Sequence, residues 1–223
     1  MDTELENRIQ KAWKTFFAHK KQLCHRGFSI KRRFQLFNAT VSAVMLYGSG
    51  TWALKSDDLK RMQGEQRKML RMMLQTPRRI IQQNCSAEDS SDSEGEPDEN
   101  EIEEEGEKHG LLEDWVTWVQ RATHVAEAEL ARAHVTDWVR EQRKRYWDFA
   151  GRVARCSDER WSHAVLNWTP SFGSRNVGAP RKRWKDDVAN FCLQDVEDDW
   201  FLLAQDEFTW NAMRDRFIDA TFD

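Results

Sequence analysis

A mostly α fold, arranged as two small helical units joined by a disordered acidic linker, follows from three features of the 223-residue chain. Apolar residues recur at three- and four-residue spacing through most of the sequence. No stretch alternates apolar and polar residues over enough length to make a convincing strand. Residues 86–108, SAEDSSDSEGEPDENEIEEEGEK, hold one aliphatic side chain, Ile102, and 12 acidic residues against a single Lys. Such a segment cannot bury enough surface to offset the entropy of ordering it. The implied division is a helical unit over 1–85, a linker over 86–108 and a C-terminal helical module over 109–223.

Thr3-x-x-Glu6 has the form of a capping box, and Leu5, Ile9, Trp13, Phe16 and Leu23 repeat at helical spacing until Gly27 interrupts them. Ser29 is placed to cap a second helix whose face is Ile30, Phe34, Phe37, Val41, Val44 and Met45, with Gly48 as its stop. Ser56 is placed to cap a third, with Asp57 and Asp58 against the positive end of its dipole. Its face is Leu59, Met62, Met69, Leu70, Met73 and Leu74, and Pro77 closes it. After the acidic segment, Leu111, Trp115, Trp118, Val119, Ala122, Val125 and Ala126 share a face. A further helix runs over roughly 136–153 with Trp138, Tyr146, Phe149 and Val153, and a short one follows Ser157 with Trp161, Ala164 and Val165. Residues 169–179 are rich in turn formers, and Pro180 suits the first position of a helix carrying Trp184, Val188 and Phe191. The tail from Trp200 to Phe222 is amphipathic and acidic.

The net charge of −4 hides a strong segregation. Residues 1–85 carry 17 Lys and Arg against 6 Asp and Glu, while residues 86–108 are net −11. Further on, residues 140–185 are net +8 and residues 186–223 net −9. Two basic regions separated by an acidic spacer predict a polyanionic partner, RNA or DNA bound through its phosphate backbone. The candidate contacts are Lys20, Lys21, Arg26, Lys31, Arg32 and Arg33 around one helix–helix junction, and Arg181, Lys182, Arg183 and Lys185 at the opening of another helix. Trp147 and Trp184 have the flat faces on which an unpaired base stacks, but Trp is mostly a core residue and both are assigned there.

Catalytic and metal-site patterns are absent from the sequence. Cys24, Cys85, Cys156 and Cys192 include no short C-x₂₋₄-C step, so reduced thiols are expected rather than a disulfide framework or zinc site. The six histidines lack metal-ligand spacing, and neither a Gly-rich phosphate loop after a strand nor a G-x-S-x-G occurs. No metal and no cofactor is expected. No apolar run approaches the roughly 20 residues that span a bilayer, and MDTELENRIQK lacks the basic start and apolar stretch of a signal peptide. The expected location is nuclear or cytoplasmic, without a membrane partner.

Three stretches carry a family resemblance. Leu46-Tyr47-Gly48-Ser49-Gly50-Thr51-Trp52, followed by a basic helix holding Leu59, Gln66, Arg67, Met69, Leu70 and Arg71, is similar to an LYGSETW segment and an LxxxQRxxLR helix. The run from Arg145 to Arg155, leading to Arg160-Trp161, is similar to R-x-x-W-x-GHVxR. Gly178 to Val188 is similar to GRPRxRWxDDI. In this order they resemble the C-terminal part, thumb and post-thumb, of a non-LTR (LINE-type) retrotransposon reverse transcriptase. The departures are Gly50 for the usual Glu, Arg152 for His and Ala179 for Arg, and the acidic spacer has no counterpart in the pattern.

The resemblance implies a thumb-like unit that grips a template–product duplex and a second module that positions element RNA or target DNA. It also implies that the palm would precede residue 1. That domain holds two magnesium ions on an [FY]-x-D-D hairpin and an upstream Asp. The Asp pairs here, Asp57-Asp58, Asp186-Asp187 and Asp198-Asp199, lie on no predicted strand pair. The expectation is a nucleic-acid-binding remnant that is not an enzyme on its own. The alternative is a chromatin-associated interaction protein whose acidic linker engages basic proteins.

Overall fold

The computed structural model describes residues 2–81, 111–156, 161, 182–196 and 199–220. Within them the chain is mostly helical. Helix α1 (Asp2–Ala18) buries Leu5, Ile9, Ala12 and Phe16, one apolar stripe at helical spacing. It ends well before Gly27, and a four-residue turn of helix, α2 (Lys20–Leu23), follows. Ser29 Oγ accepts the Arg32 N–H and caps α3 (Ile30–Phe37) as expected. The helical path continues through a π segment, Asn38–Ser42, into α4 (Ala43–Met45). Gly48 then takes a left-handed conformation, φ +72°, that favours glycine, and a 3₁₀ turn covers Ser49–Thr51.

Helix α5 (Ser56–Leu74) begins at Ser56 rather than being capped by it. Asp58 reaches back to accept the Lys55 N–H at 3.0 Å, satisfying a donor the first turn would leave open. The helix ends where Gln75 turns left-handed, two residues before Pro77. A two-residue antiparallel ladder, invisible to periodicity, pairs β1 (Ile80–Ile81) with β2 (Leu111–Leu112). Leu111, expected on a helix face, is in this ladder. Helix α6 (Trp115–Arg132) is capped by Asp114 and buries Ala122, Ala126 and Leu130. Trp115, also expected on that face, is exposed.

Helix α7 (Trp138–Arg155) is capped by Asp137, and α8 (Asp186–Asp195), α9 (Trp200–Leu203) and α10 (Glu207–Asp219) complete the described elements. Trp184 precedes α8 in a turn, because Asp186 accepts the Arg183 N–H at 2.6 Å and starts the helix there. Pro180 and residues 169–179 lie outside the described residues, as does the acidic segment 86–108. Of the short helix expected after Ser157 only Trp161 is described, helical and exposed. Cys24, Cys156 and Cys192 form no disulfide with one another; Cys85 is not among the described residues.

The apolar interior forms two clusters. The first gathers α1, α3, α4 and α5 with Ala126 and Leu130 of α6 and Trp138 of α7. The Trp138 ring stacks on Phe37 at 5.8 Å, its Nε1 donates to Ser42 Oγ at 2.7 Å, and its backbone N–H donates to Gln66 Oε1 at 3.0 Å. The second cluster centres on Trp147, which stacks on Trp210 at 3.8 Å, each indole N–H donating to the other's backbone carbonyl. The clusters therefore meet within α7, and the first of them draws residues from both sides of the acidic segment.

Candidate nucleic-acid interface

The three stretches that carry the resemblance are distant in sequence and meet at one junction. Arg145 Nη1 donates to the Leu46 carbonyl at 2.9 Å and Gln142 Nε2 to that of Ser49 at 3.2 Å. From the turn before α8, Trp184 Nε1 donates to the Gly50 carbonyl at 2.9 Å and Lys182 Nζ to that of Leu54 at 2.7 Å. The Tyr146 hydroxyl donates to the Trp184 carbonyl. A Cβ at Gly50 would stand 2.9 Å from the Arg145 carbonyl oxygen, so the helix backbone occupies the space a side chain would need. The basic helix of the first stretch is used the same way. Buried Gln66 holds Trp138, Arg67 pairs with Glu127, and Arg71 donates to Thr123 Oγ1 at 2.8 Å. Polar residues of these stretches thus satisfy backbone carbonyls and acids inside the fold.

Lys182 belongs to this internal set: it pairs with Asp187 at 2.6 Å. Burial pushes the Asp187 carboxyl above the usual range, with the Lys182 ammonium acting against that shift. Of the neighbouring candidates, Arg183 is exposed, Lys185 is half-buried at the N-cap of α8, and Arg181 lies outside the described residues.

The first basic cluster divides into two roles. Arg33 is turned inward, 9% exposed, and its Nη1 donates to the carbonyls of Met73 at 2.8 Å and Leu23 at 3.4 Å. Arg26 Nη2 donates to the Gln75 carbonyl at 3.3 Å. Both cover the negative end of α5, where cations are favoured. Lys20, Lys21, Lys31 and Arg32 are exposed, and no acidic side chain pairs with any of them among the described residues. Lys31 and Arg32 occupy the first turn of α3, which holds no acid, so two cations sit at the positive end of a helix dipole. Helix α2, bearing Lys20 and Lys21, packs against α3.

The two clusters are not brought together. One covers the C-terminal end of α5 and the other touches Leu54 just before its N-terminus, and a 19-residue helix is about 28 Å long. Sequence reasoning missed two exposed aromatics beside the first cluster, Phe17 (53% exposed) and Phe28 (46%). Phe17 falls off the stripe that buries Phe16, a signal the helical periodicity contains. Phe28 follows Gly27 in a turn, where periodicity says nothing.

A second unforeseen feature is the neck of the acidic segment. Glu113 is buried, and its carboxylate accepts from Arg121 at 2.9 and 2.6 Å and from the Arg79 N–H at 3.1 Å. The Arg121 hydrogen bonds hold its pKa down to about 2. Arg121 also donates to the Pro77 carbonyl at 2.8 Å. Ile81 and Leu111 are direct ladder partners, so residues 82–110 leave and rejoin the fold at adjacent points. Around this neck Ile80, Ile81, Leu111, Leu112, Trp115 and Val116 are all exposed.

Among the described residues no group of three or more His, Cys, Asp or Glu is placed to hold a metal, and no helix is long and apolar enough to cross a membrane. Asp57 and Asp58 lie in the first turn of α5, Asp186 and Asp187 in that of α8, and Asp199 caps α9.

The chain is similar to a transposon-derived protein of Caenorhabditis elegans, 30% identical over 86 residues. The match covers 36% of this chain and 31% of that relative's length. No protein-family profile matches the chain, and no solved structure does. The similarity points to a transposon-related origin.

Proposed function

We propose that the chain is a nucleic-acid-binding remnant of a LINE-type reverse transcriptase, without a catalytic centre of its own. The observation that carries this reading is the knob formed by α2 and the start of α3. Lys20, Lys21, Lys31 and Arg32 are concentrated there without acidic partners among the described residues. Two of them stand at the positive end of a helix, an arrangement that opposes folding stability. A phosphate backbone supplies the missing negative charge and relieves the repulsion. The transposon-related similarity and the order of the three sequence stretches support the lineage.

The test is a titration of labelled DNA and RNA against salt. Each phosphate neutralised on duplex DNA contributes about 0.9 to the slope of log affinity against log salt. Changing Lys20, Lys21, Lys31 and Arg32 together to Ala flattens that slope by about two to four units and weakens binding to unrelated sequences alike. Equal binding by parent and variant at low and moderate salt overturns the reading. Primer extension that is lost on changing one of the Asp pairs overturns the absence of a catalytic centre. The exposed apolar neck favours the second reading, an interaction protein whose acidic segment engages basic proteins; it takes over if the four-residue variant is silent.

A further inference from the structure

We infer that the α2–α3 knob takes single-stranded nucleic acid by stacking unpaired bases on Phe28 and Phe17, a step that rests on the nucleic-acid reading above. Phe17 and Phe28 each present about half of their surface to solvent beside the exposed cations of α2 and α3. Phe28 sits in the turn between α2 and α3, its ring 5.2 Å from His25, three residues before Lys31 in the first turn of α3. Phe17 is the penultimate residue of α1, backed by Trp13 at 5.5 Å in a stacked arrangement, with the Lys20 ammonium 5.8 Å from its ring. Within residues 17–32 the chain thus alternates ring, cations, ring, cations. Phosphates repeat along a strand with a flat base on each sugar, so a surface that interleaves cations with open rings matches a strand whose bases are unpaired. A duplex hides its base faces and offers phosphates alone. The backing of Phe17 by Trp13 and of Phe28 by His25 holds each ring in place, so little side-chain freedom is lost when a base arrives. The same chemistry would suit an anionic bilayer, but the transposon-related origin favours a strand, and the bilayer becomes one outcome of the test.

The experiment uses the full chain with a labelled 12-nucleotide oligo-dT or oligo-U, the matching 12-base-pair duplex, and vesicles with and without phosphatidylserine. The expected result is tighter binding of the single strand than of the duplex at equal salt. Phe28→Leu keeps the apolar bulk and removes the π face, and because Phe28 is outside both cores the variant retains the parent's thermal unfolding. It lowers single-strand affinity about five- to a hundredfold while leaving the salt slope and the duplex affinity unchanged. Phe17→Leu acts in the same direction. Equal affinity for strand and duplex, or a Phe28→Leu variant that binds the strand as the parent does, overturns stacking while leaving the phosphate reading intact. Binding of neither nucleic acid overturns both. Binding confined to phosphatidylserine vesicles assigns the surface to a membrane and overturns the inference.

Discussion

Glu113 is an acid buried where the chain needs three donors satisfied at once. Its carboxylate takes two N–H groups of Arg121 and the backbone N–H of Arg79, and its own backbone closes on the same segment, with the Glu113 N–H donating to the Arg79 carbonyl at 2.8 Å. A carboxyl held at about 2 in the fold and near 4.3 in the unfolded chain stabilises the folded state fully above the unfolded value. That contribution is lost as pH falls through the folded value. Glu113→Gln therefore melts at a lower temperature than the parent at neutral pH, and the two melting curves converge between about pH 4 and pH 2. Parallel curves across that window would show that the carboxylate charge is idle. The same residue marks a limit of sequence reading. Glu113 follows an acid-rich segment and stands directly before Asp114, and nothing local in the sequence distinguishes it from the acids around it. Its role depends on Arg121, eight residues on, and on Arg79, 34 residues back.

At the scale of elements, α7 decides how the molecule behaves. Its first residue, Trp138, is enclosed by Phe37, Ser42 and Gln66, and its middle residue, Trp147, anchors the second cluster against Trp210. Gly151 leaves room for the Trp210 indole, since a Cβ there would fall 2.4 Å from its Nε1. A rigid helix of 18 residues couples the two clusters through these contacts. Trp138→Ala costs about 3–5 kcal/mol from the first cluster and leaves the Ser42 hydroxyl without its donor. The expected outcome is a lower, still single unfolding transition followed by tryptophan fluorescence and by far-ultraviolet circular dichroism alike. A second-cluster signal that melts at the parental temperature would show independent units. Most helices were legible from spacing because each buries a stripe, as Leu5, Ile9 and Phe16 do. The convergence of Gly50, Arg145 and Trp184 was not, since hydrogen bonds over 99 to 134 residues of separation leave no periodic trace. The basic cluster was legible as charge, but not the division between inward Arg33 and outward Lys31, which depends on where the end of α5 lies.

Over the whole molecule the decisive quantity is the distribution of charge. Residues 86–108 contribute −11 to a total of −4, so removing them leaves a chain of +7. A tethered polyanion competes with nucleic acid for the same cations at an effective concentration set by its tether. The deletion variant is expected to bind oligonucleotides more tightly than the parent, with the difference shrinking as salt screens both contests. Equal or weaker binding at low salt would remove the segment from the electrostatics. The ladder that joins Ile81 to Leu111 adds a different consequence. The ladder and the Glu113–Arg121 pair fasten the chain on either side of residues 82–110 side by side, so the length of that connection does not set where its two flanks meet. Closing a longer loop costs only about 0.6 kcal/mol per doubling of its length. The position is therefore a natural port, at which sequence can be inserted or lengthened with little change to the body that carries it.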